Sequence, residues 1–372
     1  MKSVNIYINI DDFFHKLHKP FISNEFELTG QNVYKEMVSN FINLIGHYKN
    51  WAVKENLTPA IYLIYTTSRT FKNTVRIRSY RDHYLKITEM TNEDFFHVNS
   101  IVMQSIRLLP AIVKYIPHAY VIDSKYLEPS MIPMLLSDMY QADWNLLVTR
   151  DEFDYQYLAF DNWSIISPRG MESLFMSKNN LWDVVSKSAR LEEPVYFDPA
   201  IYLPLKAIIG DKYRGIPRLA RIGWKTAIKW MGDVANKAGD DIYEIQMAKL
   251  SQLIEKRKVE GTSFRTNFYC TSVREQADAI MDIDRSLVVQ QIQDFRDDKS
   301  LAQANIEIFK EYPLNLHFLL RDAPAAYYKR HDDYSWRKSF LRDRDLDARK
   351  PYRQLDVQQI TELTDIDINE ED

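Results

Sequence analysis

Hydrophobic and polar positions along this chain alternate with two different periods, and the switches between them predict most of its elements. Residues 4–10 (VNIYINI) form a β-rich apolar run that ends on Asp11 and Asp12. Residues 60–65 (AIYLIY), 118–122 (HAYVI) and 145–149 (NLLVT) repeat that texture, each a short run followed by polar residues. Helical spacing fills the intervals at residues 31–55, 95–115 and 130–140, and residues 157–166 predict a further strand before Ser167-Pro168. Alternation of this kind argues for an α/β fold, a central and mostly parallel sheet with helices on both faces.

Beyond residue 200 the pattern turns mostly helical, with 247–258 as a charged amphipathic helix and no internal repeat. From about residue 321 apolar periodicity fades. Basic residues there interleave with aromatics, among them Tyr328, Lys329, Arg330, Trp336, Arg337 and Tyr352, before an acidic stretch closes the sequence at 365–372. The expected organisation is an α/β domain over residues 1–200, a helical domain over 201–320, and a basic-aromatic extension with an acidic tail over 321–372. The acidic tail reads as solvated and disordered.

Composition narrows the chemistry. At 372 residues the chain can bury a substantial core, and 45% hydrophobic with 27% charged residues is ordinary for a globular protein. A net charge of −4 means that any nucleic-acid surface is a local patch. One cysteine, Cys270, excludes an internal disulfide framework and suits a reducing compartment. No run approaches the roughly 18 apolar residues of a membrane span, and Met1-Lys2 leads straight into a strand pattern without a signal peptide. A soluble cytoplasmic protein is expected. Neither GxGxxG nor GxxxxGK[ST] occurs, and the eight histidines lack metal spacing, so nucleotide and zinc chemistry drop out.

Residues 210–227 (GDKYRGIPRLARIGWKTA) are the most informative stretch. A Gly-Asp corner leads into Ile216-Pro217, then an Ile222-Gly223 turn, then Lys225-Thr226-Ala227 opening an apolar helix. This is the layout of a helix-hairpin-helix that grips a nucleic-acid backbone. Gly223 lets the main chain approach a phosphate, and the helix N-terminus with Lys225 and Thr226 offers it donors. Arg218 and Arg221 add positive charge beside them. A second basic segment, residues 69–86, carries Arg69, Lys72, Arg76, Arg78 and Arg81 among aromatics that can stack on bases.

Carboxylates gather after the strands: Asp11 after the first, Glu128 after the third, Asp151 after the fourth, with Asp211 arriving from the hairpin. Sites in open parallel sheets form beyond the strands' carboxyl ends. Acids converging there would need divalent cations to neutralise them, and two such ions about 4 Å apart could cleave a phosphodiester. An aspartate after a strand is also a common turn former or helix cap.

The hairpin resembles that of the 5′-nuclease (flap endonuclease) family, whose pattern runs Gly-Asp-x-x-Asp-Asn-Ile-Pro-Gly-x-x-Gly-Ile-Gly-x-Lys-Thr-Ala. YINID, LEPSMI and TRDEFDYQYL resemble further phage-type motifs in the same order, aligning Asp11, Glu128, Asp151 and Gln156. The resemblance covers residues 4–290 and implies a PIN-like domain, Mg²⁺ or Mn²⁺ at the four acids, and K⁺ at hairpin carbonyls. Departures cluster where the chemistry would be. Tyr65, Ser130, Met131, Phe153 and Arg214 stand where the family has acids, and Arg218 and Arg221 where it has glycines, which argues against the K⁺. Asp12 and Asp154 lie one residue from expected positions. Arg214, pointing inward, would be a permanent cation competing for the same carboxylates.

Three readings follow. The leading one is a catalytically inactive pseudonuclease, with no metal cofactor, that binds flap, junction or single-stranded DNA, or RNA. It would act beside replication, repair or transcription factors in a virus of bacteria. The second is a working 5′-to-3′ exonuclease or flap endonuclease that uses Mg²⁺ or Mn²⁺ at a reduced acid set. The third is a scaffold that binds partner proteins through residues 321–372.

Overall fold

The computed structural model describes residues 2–10, 30–66, 118–124, 128–169, 172–212, 214–219, 222–231, 242–255 and 264–274, with scattered positions between 82 and 116. These fall into two compact units that divide between Val148 and Thr149.

The first unit is built on a parallel sheet of four strands: β1 (Lys2–Asn9), β2 (Leu57–Tyr65), β3 (Ala119–Asp123) and β4 (Trp144–Val148). β2 pairs with β1 from Lys2↔Leu57 to Asn9↔Ile64, β4 with β1 from Val4↔Trp144 to Ile8↔Val148, and β3 with β2 from Ile61↔Ala119 to Tyr65↔Asp123. The register brings the carboxyl ends of all four strands to one edge. Six consecutive β1 residues, Val4 to Asn9, are buried, so both faces of that strand are covered. This is the burial expected of a parallel sheet in an α/β fold.

Helix α1 (Gly30–Lys54) follows β1. Its buried Phe41, Ile45, Tyr48 and Trp51 recur at helical spacing, the stripe that packs it on the core. Further along lie α2 (Leu109–Val113) and α3 (Ile132–Met139), the latter entered through a 3₁₀ turn at Pro129–Met131. Across the sheet, Tyr7, Tyr62 and Tyr120 occupy register-paired positions and stack in series, with centroids 5.4 and 5.1 Å apart. Burial pushes the Tyr7 phenol well up, and its hydroxyl donates to Asn145 Oδ1 at 3.1 Å.

The second unit opens with a 3₁₀ segment (Glu152–Ala159) and an antiparallel hairpin of β5 (Trp163–Arg169) and β6 (Glu172–Met176). The strand expected over 157–166 therefore begins later. Asp151 caps the segment by accepting from the Phe153 amide, and residues 157–159 go to that 3₁₀ segment instead. Helices α4 (Leu181–Ser188), α5 (Tyr202–Ile209), α6 (Trp224–Met231), α7 (Ile242–Glu255) and α8 (Phe264–Thr271) complete the unit. Every residue of α5 is buried, Lys206 included. Three polar side chains tie the helices to the loops. Asn267 Nδ2 donates to Ala207 O and Pro217 O, Gln246 bridges Tyr196 and Asp198, and Gln156 bridges Phe153, Thr271 and Val273. Gln156 is thus a packing residue of this unit.

The described strands are mostly parallel in pairing, and eight α-helices accompany them, as the alternation predicted. No described helix is long and apolar enough to cross a membrane.

Candidate functional site

The hairpin between α5 and α6 begins at Gly210, whose φ of +70° only glycine adopts without strain. A Cβ there would lie 2.5 Å from the carbonyl oxygens of Ile216 and Pro217. Asp211 then pairs with Ile216 through two backbone hydrogen bonds of 2.9 Å, and the Arg214 amide closes the turn on Asp211 O at 3.1 Å. Gly215, at φ +71°, returns the chain. This six-residue loop is what aims the Arg214 side chain.

Arg214 reaches two carboxylates at once. Its Nη2 donates to Asp151 Oδ2 at 2.8 Å and its Nη1 to Asp211 Oδ2 at 3.2 Å. Lys206, from the apolar helix α5, brings Nζ to 3.4 Å from the same Asp211 oxygen. The four side chains are nearly closed to water, at 9% exposure for Asp151, 4% for Asp211, 8% for Arg214 and 7% for Lys206. Two anions and two cations make the cluster neutral. The remaining oxygens are also engaged: Asp151 Oδ1 accepts from the Phe153 amide and Asp211 Oδ1 from the Arg214 amide.

Phe153 supplies the floor. The centre of the Arg214 guanidinium sits 3.6 Å from the Phe153 ring centroid, a cation–π contact. From there contacts run in a closed circuit. Lys206 faces the Trp224 ring at 6.0 Å, Trp224 stacks on Tyr202 at 5.5 Å, and the Tyr202 hydroxyl donates to Glu152 O at 2.5 Å, one residue before Phe153. Burial, with Glu152 next in size, raises the Tyr202 phenol well above its ordinary value, so it stays a neutral donor. The circuit joins the 3₁₀ segment, α5, the Asp211 loop and the first residue of α6.

At that helix start, the Gly223 carbonyl accepts from the Thr226 and Ala227 amides. A Cβ on Gly223 would meet nothing within 4 Å, so the backbone there faces open space. Lys225 and Thr226, which follow it in the chain, are exposed, as is Arg218 earlier in the hairpin. A helix start also leaves its first amides without intrahelical partners.

The other expected residues are distributed as follows. Glu128 lies in the first unit, half-buried, just ahead of the 3₁₀ turn. Tyr65, Ser130 and Met131 are buried in that unit's core. Asp154 is buried and accepts from Thr149 Oγ1 at 2.5 Å. Asp11, Asp12, Arg69, Lys72, Arg76, Arg78, Arg81 and Arg221 lie outside the described residues, as does the 321–372 extension.

A divalent ion does not fit the donor set around Asp151 and Asp211. It would have to displace a guanidinium bonded to both carboxylates, beside a second cation and against an aromatic ring. Among the described residues, no group of three or more His, Cys, Asp or Glu side chains could hold a metal. Sequence reasoning singled out Arg214 but missed Lys206 and Trp224. The available signal was one lysine inside the otherwise apolar run YLPLKAII.

No protein-family model matches this chain, and no curated protein does. Among solved structures, the chain is similar to a T5 5′-exonuclease with divalent zinc ions bound, at 15% identity and a TM-score of 0.45, over 79% of this chain and 98% of that one. It is similar also to a bacteriophage T5 flap endonuclease in a pseudo-enzyme–product complex with DNA and metal ions. There the identity is 14% and the TM-score 0.45, again over 79% and 98% of the two chains.

Proposed function

We propose that this chain is a nucleic-acid-binding protein of 5′-nuclease fold that grips a phosphodiester backbone without cutting it. The observation that carries this reading is Arg214 bonded to both Asp151 and Asp211. A fixed guanidinium neutralises those acids as an ion would, yet it brings no bound water that could be deprotonated to attack phosphorus. The holding surface is the start of α6. The backbone at Gly223 is open, Lys225 and Thr226 after it and Arg218 earlier in the hairpin are exposed, and first-turn amides and the helix dipole favour an anion there. The basic segment containing Arg69, Lys72, Arg76, Arg78 and Arg81 extends the charge available for such contacts. The ligand is DNA with a flap, junction or single-stranded region, and the work is done beside replication, repair or transcription proteins.

The test is a titration onto end-labelled 5′-flap DNA in Mg²⁺, Mn²⁺ or EDTA, with each sample split between native and denaturing gels. The expected result is a shifted band with an intact label under all three conditions. Affinity should fall steeply with salt, because phosphate contacts release counterions. Metal-dependent shortening that Asp11→Ala abolishes would establish a nuclease instead. Absence of any shift at low salt would remove the nucleic-acid reading and leave the scaffold.

A further inference from the structure

We propose that Trp230 is a stacking platform for an unpaired base, so that α6 holds a single strand along its length rather than one phosphate at its start. This deepens the function proposed above and rests on it, because the stacked base belongs to a strand whose backbone is gripped at Gly223.

The outer face of α6 is short and carries no acid. Ala227, Ile228 and Met231 turn inward and Trp224 is half-buried, which leaves Lys225, Thr226, Lys229 and Trp230 in solvent. Among the described residues, no carboxylate pairs with Lys225 or Lys229. Four residues apart, these two lysines share one side of the helix. Trp230 stands seven residues beyond Gly223, about two turns, and so returns to the side of the open backbone roughly 10 Å along the axis. A phosphate at Gly223 and a base on Trp230 therefore fall on one line, with the lysine pair on the adjoining side.

A single exposed aromatic is ordinary on a protein surface. This one is set apart by its place above Gly223 and by how it is held. The indole Nε1 donates to Lys249 O at 3.0 Å, and Lys249 Nζ donates to Met231 O at 3.4 Å, a clasp between the end of α6 and α7. The clasp uses the edge of the ring and fixes its plane, while the side chain stays 36% exposed. A platform already held in place loses little freedom when a ligand arrives. Within a duplex each base has neighbours on both faces, so an unpaired base is what such a ring accepts, whatever the sequence.

The experiment measures binding of the full chain, at low salt, to a short labelled dT strand and to an abasic strand of the same length. Both strands offer phosphates, and one offers bases. Wild type should bind the dT strand about tenfold tighter, and Trp230→Leu should erase that difference while leaving the abasic affinity unchanged. Trp230→Phe keeps a ring and loses the N–H, so it should stay within about threefold of wild type on dT. Leucine and phenylalanine both break the clasp, so their urea midpoints report its loss separately from binding. As a second readout, dT but not the abasic strand should quench wild-type tryptophan emission, and Trp230→Phe should lose that quenching. Equal losses of dT affinity in the two variants, or quenching that persists in Trp230→Phe, overturn the proposal. Wild type binding both strands alike, with Trp230→Leu unchanged, overturns the stacking and leaves the phosphate grip standing. Wild type binding neither strand removes the grip itself, and the function proposed above with it.

Discussion

The Arg214 guanidinium lies 3.6 Å from the centroid of the Phe153 ring, while its two terminal nitrogens bond Asp151 and Asp211. Phe153 and Arg214 are sixty-one positions apart, so the contact ties the 3₁₀ segment to the hairpin. Desolvation makes that contact strong, since a guanidinium in water gains little from an aromatic face and a buried one gains more. The same desolvation makes each partner costly to remove alone.

A double-mutant cycle measures this coupling. Phe153→Leu keeps apolar volume and loses the ring face, so it should destabilise the protein by about 1–3 kcal/mol in urea unfolding. Arg214→Gln should cost about 3–5 kcal/mol, because it uncovers two buried acids. Combined, the two should cost less than their sum by about 1–2 kcal/mol. Strict additivity would mean that ring and guanidinium are merely neighbours.

Lys206 offers a second check on the cluster's charge balance. Lys206→Met preserves the apolar character of α5 and leaves Asp211 with Arg214, but the cluster becomes net negative. A loss of about 1–3 kcal/mol is expected, less than for Arg214→Gln. The urea midpoint should fall with the m-value unchanged, since the surface exposed on unfolding stays the same.

In the first unit, Asp143 accepts from both the amide and the hydroxyl of Ser3, at 2.7 and 3.0 Å. The Ser3 amide and then its hydroxyl hold the carboxyl below its ordinary value. A carboxyl lowered in the folded state stabilises that state above its unfolded pKa of about 3.9, and the contribution disappears as pH falls through the lowered value. Asp143→Asn should therefore narrow the difference in Tm between pH 5 and pH 2, with the variant and wild type converging at the acid end. Curves that instead diverge toward low pH would contradict this sign.

Much of this was legible before any coordinates. The four parallel strands stand out as short β-branched and aromatic runs because their burial on both faces leaves no polar alternation to confuse the reading. The later onset of β5 was not legible. Tyr157 and Leu158 are as apolar as a strand, and long-range contacts such as the Gln156 bridges, with the Asp151 cap, hold them in a 3₁₀ segment. Arg214 could be flagged by its place in the hairpin pattern. Its direction depends on the Asp211–Ile216 pairing, however, and its partner Phe153 on tertiary packing, which no local period encodes. Lys206 was hidden for a similar reason. A single lysine in an apolar helix reads as a snorkelling side chain until an acid is found beside it.

The two hairpin glycines should separate folding from binding. At Gly210 the added methyl of Gly210→Ala has φ +70° to contend with and two carbonyl oxygens at 2.5 Å, all of it backbone that cannot move aside cheaply. That substitution should destabilise the protein by several kcal/mol, on the order of other strained or overpacked sites, and lower binding only through misfolding. Gly223 lies outside the left-handed region and a Cβ there touches nothing. Gly223→Ala should leave the urea midpoint within about 0.5 kcal/mol of wild type. If a phosphate packs against that backbone, the same methyl occupies its approach, and affinity for flap DNA should fall about tenfold, or about 1.4 kcal/mol. A Gly223→Ala protein that folds and binds as wild type would move the nucleic-acid contact away from α6, toward the basic segment at residues 69–86.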